Sequence, residues 1–179
     1  MSKKFFSWST GFKSIIVVDN ELFNNDYTIK LHLTPVTTEL AEQGDYFERL
    51  KMLFENVFNN TVTVCKDEQL YAILEKQTNN RFIQLPRPPY DQLMAAVCFT
   101  KANAVLKGKI IINELELSSY QGDGITYRIV KEGLLSIAET DRAADGRIYV
   151  LTHSGARFAS DLMRIDIPFR SAQEPITQV

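Results

Sequence analysis

The chain has 179 residues, enough for one domain or two small ones, with 45% hydrophobic and 23% charged residues. That is the profile of a folded globule, and no apolar run nears the ~20 residues of a membrane-spanning helix. A net charge of −2 argues against broad nonspecific nucleic-acid binding, and two cysteines, Cys65 and Cys98, with no CxxC pair exclude a disulfide framework and a cysteine zinc site.

The first residues carry Phe5, Phe6, Trp8 and Phe12, too many aromatics for a free tail, and they are expected to pack on the body or on a partner. They include no apolar core of a secretion signal, so the expectation is a cytoplasmic protein without membrane contact. Residues 15–18 read as a buried strand. Asp19-Asn20 and Asn24-Asn25-Asp26 read as turns. Residues 27–33 alternate: Ile29, Leu31 and Leu33 face one way, and Thr28, Lys30, His32 and Thr34 the other. Pro35 ends the run.

Residues 45–58 predict a helix with a wide apolar face of Tyr46, Phe47, Leu50, Leu53, Phe54, Val57 and Phe58, opened by Asp45 with Glu48 as a capping pair. Residues 61–65 alternate as a short strand. Residues 67–76 predict a helix with Leu70, Ile73 and Leu74 inward, and 82–85 a further strand. The order β-β-α-β-α-β is an α+β layer.

Pro86-Arg87-Pro88-Pro89 suits neither a helix interior nor a central strand and marks a junction. A helix is expected from Tyr90 to Leu106. Met94, Val97, Cys98 and Val105 form its apolar side, and Gln92, Ala96, Thr100, Asn103 and Lys107 its polar one. Lys101 is expected to snorkel to the rim, and Gly108 to stop the helix. Residues 110–117 stay open between strand, favoured by Ile110-Ile111-Ile112, and a short helix. Residues 118–124 form a turn.

From there the order is a segment closing on Gly133-Leu134, a charged run ending at Asp145-Gly146, a β-type run over 148–151, and a helical pattern opened by Thr152. Gly133 lets the chain leave a helix, Asp145-Gly146 suits a hairpin tip, and Thr152 suits a helix cap. Residues 165–167 read as a terminal strand, and 170–179 as a loose tail.

This stretch resembles the winged-helix transcription regulators. The resemblance rests on Lys131-Glu132-Gly133-Leu134, Asp141-Arg142, Asp145-Gly146-Arg147, Leu151-Thr152-His153-Ser154-Gly155 and Ala159-Ser160-Asp161-Leu162. It implies an N-terminal α+β domain over 1–85 for dimerisation or partner contact, a winged-helix-like domain over 86–168, and a flexible tail over 169–179. It also implies regulation by binding double-stranded DNA. Thr126, Arg128 and Lys131 would lie on a recognition helix, with Arg142 and Arg147 on the wing. The alternative is one α+β domain with an antiparallel sheet, in which 110–117 pairs with 125–130 and the protein is a non-enzymatic interaction or assembly factor. A helix at 110–120 would favour DNA; a strand there would favour the alternative.

No cofactor, metal or catalytic residue is expected. His32-Leu33-Thr34 is half of the His-x-Thr pair of two-histidine phosphoesterases, but His153-Ser154 lacks the spacing of a second half. No phosphate loop, dinucleotide fingerprint or nucleophile motif is present.

Overall fold

The computed structural model describes residues 5–77, 81–131 and 148–151, the last as a strand only. The strands are β1 (Phe6–Val18), β2 (Glu21–Pro35), β3 (Thr61–Cys65), β4 (Phe82–Leu85), β5 (Ile110–Ser119), β6 (Thr126–Val130) and β7 (Ile148–Leu151). The helices are α1 (Leu40–Met52), continued by a π-helical stretch over Leu53–Phe58, α2 (Tyr71–Gln77) and α3 (Asp91–Leu106). The fold is α+β, with one seven-stranded sheet in the order β4-β3-β1-β2-β5-β6-β7. The sheet is mixed: β1–β2, β2–β5 and β5–β6 run antiparallel, and β1–β3, β3–β4 and β6–β7 parallel. No helix among the described residues is long and apolar enough to cross a membrane.

The hairpin of β1 and β2 is the frame. Its Asp19-Asn20 turn has φ of 53° and 61°, a left-handed geometry that Asn and Asp tolerate well. Alternation then sorts side chains to two faces. Phe6, Trp8, Phe12 and Ile16 from β1 and Tyr27, Ile29, Leu31 and Leu33 from β2 pack into the main core; Phe5 stays 70% exposed. Ser7, Ser9, Gly11 and Lys13 point the other way. At Gly11 a Cβ would sit 2.6 Å from the Tyr27 carbonyl oxygen, so the close strand approach there requires glycine.

The strand β1 begins well before residue 15, and β2 runs through Asn24-Asn25-Asp26 rather than turning there. Asn25 is 1% exposed and its Oδ1 accepts the Gln121 N–H, so its polar group is used in tertiary contact instead of a local turn.

One apolar layer covers the inward face. Leu50, Leu53, Phe54, Val57 and Phe58 from α1 and its continuation meet Met94, Ala95, Val97, Cys98, Ala102 and Leu106 from α3 over the sheet. Helix α1 starts at Leu40, five positions before the expected Asp45 cap. Gln43 Nε2 donating to the Thr37 carbonyl and a Lys109–Glu42 ion pair at 2.8 Å hold its first turn. Ala96 of α3 is 3% exposed, buried where a polar side was expected. Lys107 (φ 48°) and Gly108 (φ 73°) end that helix in left-handed geometry. Helix α2 lies on the opposite face at the β3–β4 end, where Leu70, Tyr71 and Leu74 pack on Val17, Val64 and Phe82. Ile73, expected inward, is 51% exposed.

Residues from both sides of Pro86-Arg87-Pro88-Pro89 share this sheet and core: β5 pairs along β2 from Pro35↔Ile110 to Tyr27↔Ser119, and α3 packs against α1.

The DNA-binding reading fails at residues 110–130. The segment 110–119 is strand β5, and 126–130, expected as a recognition helix, is strand β6 paired antiparallel with it from Ser118↔Thr126 to Glu114↔Val130. The reason is local. The β-branched Ile110-Ile111-Ile112, Thr126, Ile129 and Val130 favour extended backbone. Asp123 (φ 49°) and Gly124 (φ 78°) then close a short reversal between the strands. With a strand in that place there is no helix to enter a major groove. The expected wing tip at 132–147, the helix after Thr152, the 165–167 strand and the tail lie outside the described residues.

Candidate functional site

Away from Val17, where α2 packs, the outward face of β1, β2, β5 and β6 has no described element over it, and its side chains form registered rows. One row is Ser7, His32, Glu114 and Val130; the next is Ser9, Lys30, Glu116 and Arg128; a third is Gly11, Thr28, Ser118 and Thr126. His32 faces outward as its alternation predicts, and it is half-buried among these neighbours. Its Nδ1 lies 3.0 Å from Ser7 Oγ. A β-bulge between His32 and Leu33 resets the β2–β5 register beside it.

Arg128 bonds Glu114 in a fork: Nε reaches Oε1, and Nη2 reaches Oε2 at 2.7 Å. The Glu114 side chain is 15% exposed and that of Arg128 39%. Two residues along β5, Glu116 lies on the same face. One ligating atom from each of His32, Glu114 and Glu116 falls within 4.8 Å of the others. Beside them is a shallow cavity of about 320 Å³ lined by Phe5, Phe6, Ser7, His32, Asn113 and Glu114.

The two carboxyls are pushed apart in acidity. Burial opposes ionisation of Glu114, but the Arg128 guanidinium and a hydrogen bond with Glu116 outweigh it and hold Glu114 below its ordinary value. Burial first, and then the hydrogen bond with Glu114, raises Glu116. A raised carboxyl favours the native state below the unfolded-chain value, and that contribution is lost as pH rises through the folded value. The lowered Glu114 does the reverse. Glu116→Gln, which mimics the protonated form, is therefore expected to be more stable than the parent at pH 7. The difference should vanish below about pH 4, where an unfolded glutamate is also protonated. Urea unfolding midpoints at both pH values, with chelator present, check this. A Gln variant less stable at pH 7 would contradict it.

Of the residues expected to touch DNA, Thr126 and Arg128 lie on this face, and Arg128 is turned onto Glu114. Lys131 follows β6 and is exposed, with its N–H on the Asn113 carbonyl at 2.8 Å; Arg142 and Arg147 lie outside the described residues. Thr34, the other half of the His-x-Thr pair, accepts a hydrogen bond from Asn113 Nδ2 at 2.7 Å, while His153 lies outside the described residues. Ser7, Glu114 and Glu116 were not singled out by sequence. Glu114 and Glu116 alternating with Leu115 and Leu117 was the available signal.

A second polar group lies on the helix side. Ser119 Oγ donates to Asp91 at 2.6 Å, near buried Asn25 and Tyr27. Burial raises Asp91, and burial together with the Asp91 charge pushes the Tyr27 hydroxyl up. A Cβ at Gly122 would lie 2.5 Å from Asp91 Oδ2, so this group is sterically closed and reads as structural. Lys101 is half-buried on α3, and burial lowers its ammonium to about 8. Cys65 and Cys98 are free and buried.

The chain matches no family model and no curated protein. Among solved structures it is similar to an uncharacterized protein, WS1659, from Wolinella succinogenes. The identity is 11% and the TM-score 0.48, over 72% of this chain and 99% of that one. It is also similar to a catalytic-residue mutant of Plasmodium vivax 6-pyruvoyltetrahydropterin synthase. There the identity is 9% and the TM-score 0.44, over 72% of this chain and 98% of that one.

Proposed function

We propose that the protein is a cytoplasmic, non-enzymatic interaction protein that assembles with a second copy of itself through the outward face of β1, β2, β5 and β6. The observation that carries this reading is a sheet face that, away from the Val17 end where α2 packs, has no described element over it. Its centre is Ser9, Gly11, Thr28, Ser118 and Thr126, side chains small enough for another sheet to approach at the ~10 Å spacing of packed sheets. Beside that strip the charges balance: Lys30 and Arg128 face Glu114 and Glu116. A face of zero net charge meets its own copy without net repulsion, whereas a phosphate-binding face needs an excess of Lys and Arg. The groups with chemical reach are already bonded to each other, Ser7 to His32 and Arg128 to Glu114, which favours binding over turnover.

Sedimentation velocity of the full chain tests this. The parent is expected to pass from monomer to dimer between about 1 and 100 μM, the range of modest homodimers. Ser9→Arg and Thr28→Arg, each placing a long charged side chain on an exposed strip position, should hold the chain monomeric with unchanged circular dichroism. A parent that stays monomeric throughout, or a dimer that survives both variants, overturns the reading.

A further inference from the structure

We infer that His32, Glu114 and Glu116 form a binding site for a divalent transition-metal ion. The inference is independent of self-assembly, since all three side chains belong to one chain.

The site is built by the sheet. Cross-strand register sets His32 directly opposite Glu114, and the two-residue period of β5 brings Glu116 to the same face. Ligating atoms within 4.8 Å of one another are close to a coordination shell. With metal–ligand bonds of about 2.0–2.2 Å, neighbouring donors sit roughly 3–4 Å apart. Rotation about the side-chain bonds of His32 and Glu116 closes that difference without moving the backbone or breaking the Arg128–Glu114 fork.

The donor chemistry selects the ion. One imidazole nitrogen and two carboxylates suit zinc and its first-row neighbours, while calcium and magnesium prefer all-oxygen shells. The surroundings supply orientation. An imidazole that donates Nδ1–H to Ser7 Oγ, 3.0 Å away, keeps its Nε2 lone pair for the metal. The Arg128 fork fixes the Glu114 carboxylate, and each oxygen keeps a second lone pair. Arg128 and Lys30 offset the two carboxylate charges, so the field of the face alone does not draw cations. Selectivity therefore rests on the nitrogen ligand, and magnesium should not compete.

The adjoining cavity, with Phe5 and Phe6 on its wall and His32 and Glu114 at its edge, leaves an open side toward which a bound ion would keep water or accept an outside ligand.

The test uses the full chain, stripped with chelator and dialysed, at a concentration where sedimentation shows only monomer. Titration with zinc chloride by calorimetry is expected to give one ion per chain, unaffected by millimolar magnesium. Cobalt(II) should give visible d–d bands of mixed nitrogen and oxygen ligation. His32→Ala and Glu116→Gln should each weaken binding by at least about tenfold, and Ser7→Ala by about tenfold. Glu21→Gln should leave it unchanged. Because a variant can disturb the strand, His32 is also read in the folded parent: its imidazole NMR signals should broaden as cobalt is added. No saturable binding, binding that survives His32→Ala, or His32 signals unmoved by cobalt overturns the site.

Discussion

Phe54→Ala is expected to lower the free energy of unfolding by about 3–5 kcal/mol, the usual cost of emptying a fully buried aromatic position. Phe54 is 0% exposed and stands in the π-helical continuation of α1. Its ring is 5.7 Å from that of Phe58, 5.9 Å from Trp8 and 6.4 Å from Phe12, and Phe12 in turn stacks on Tyr27 at 4.7 Å. This aromatic column fastens the helix to both strands of the β1–β2 hairpin, whose far face carries the candidate site. Truncation removes the transfer energy of one ring and leaves walls that cannot collapse, because three of their rings, Trp8, Phe12 and Phe58, come from β1 and from the helix itself. Urea unfolding followed by circular dichroism gives the loss. Emission of Trp8, the only tryptophan, reports the repacking directly. Phe54→Leu fills most of the space and should cost clearly less. A loss below about 1 kcal/mol for the Ala variant would mean that this segment does not seat on the hairpin as described.

Those same aromatics show what the sequence made legible. Tyr46 to Phe58 announces an apolar helix face through its 3.6-residue spacing, and β2 announces two faces through Ile29, Leu31 and Leu33. The strand β1 was equally periodic, Phe6, Trp8, Thr10 and Phe12 against Ser7, Ser9, Gly11 and Lys13. The aromatic density at the start hid that alternation. Asn24-Asn25-Asp26 misled for another reason: turn-forming side chains are also good tertiary hydrogen-bond partners, and Asn25 serves β2 in that way. The segment 126–130 resembles a recognition helix by its place in the chain, while its own β-branched residues make it a strand. His32 was visible as an outward residue. Its partners were not, because the pairing of β2 with β5 joins positions about 80 residues apart and depends on a bulge, which no local pattern encodes.

Arg128→Ala is expected to destabilise the native state by about 1–3 kcal/mol, with the lower half of that range favoured because the guanidinium is 39% exposed and partly screened. The loss comes from what is left behind. Glu114, whose side chain is 15% exposed, would keep its charge beside Glu116 with its two strongest donors gone. Burial, which already opposes its ionisation, would then prevail, and its pKa should move up, making the carboxyl less acidic. The deficit at pH 7 should persist down to the ordinary glutamate value and shrink only below it, as pH falls through the lowered value of Glu114 in the folded parent. Removing both partners in Arg128→Ala/Glu114→Ala should be milder than the sum of the single changes, with a coupling of about 0.5–3 kcal/mol for groups in direct contact. This separates a structural arginine from a phosphate-contacting one. An arginine reserved for a ligand projects into solvent, and its removal leaves stability within about 0.5 kcal/mol. Chemical denaturation of the four chains at pH 7 and at a series of lower pH values decides it. Additive single effects would show that the fork is a solvated surface pair, and Glu114 would then have to be positioned by the strand alone.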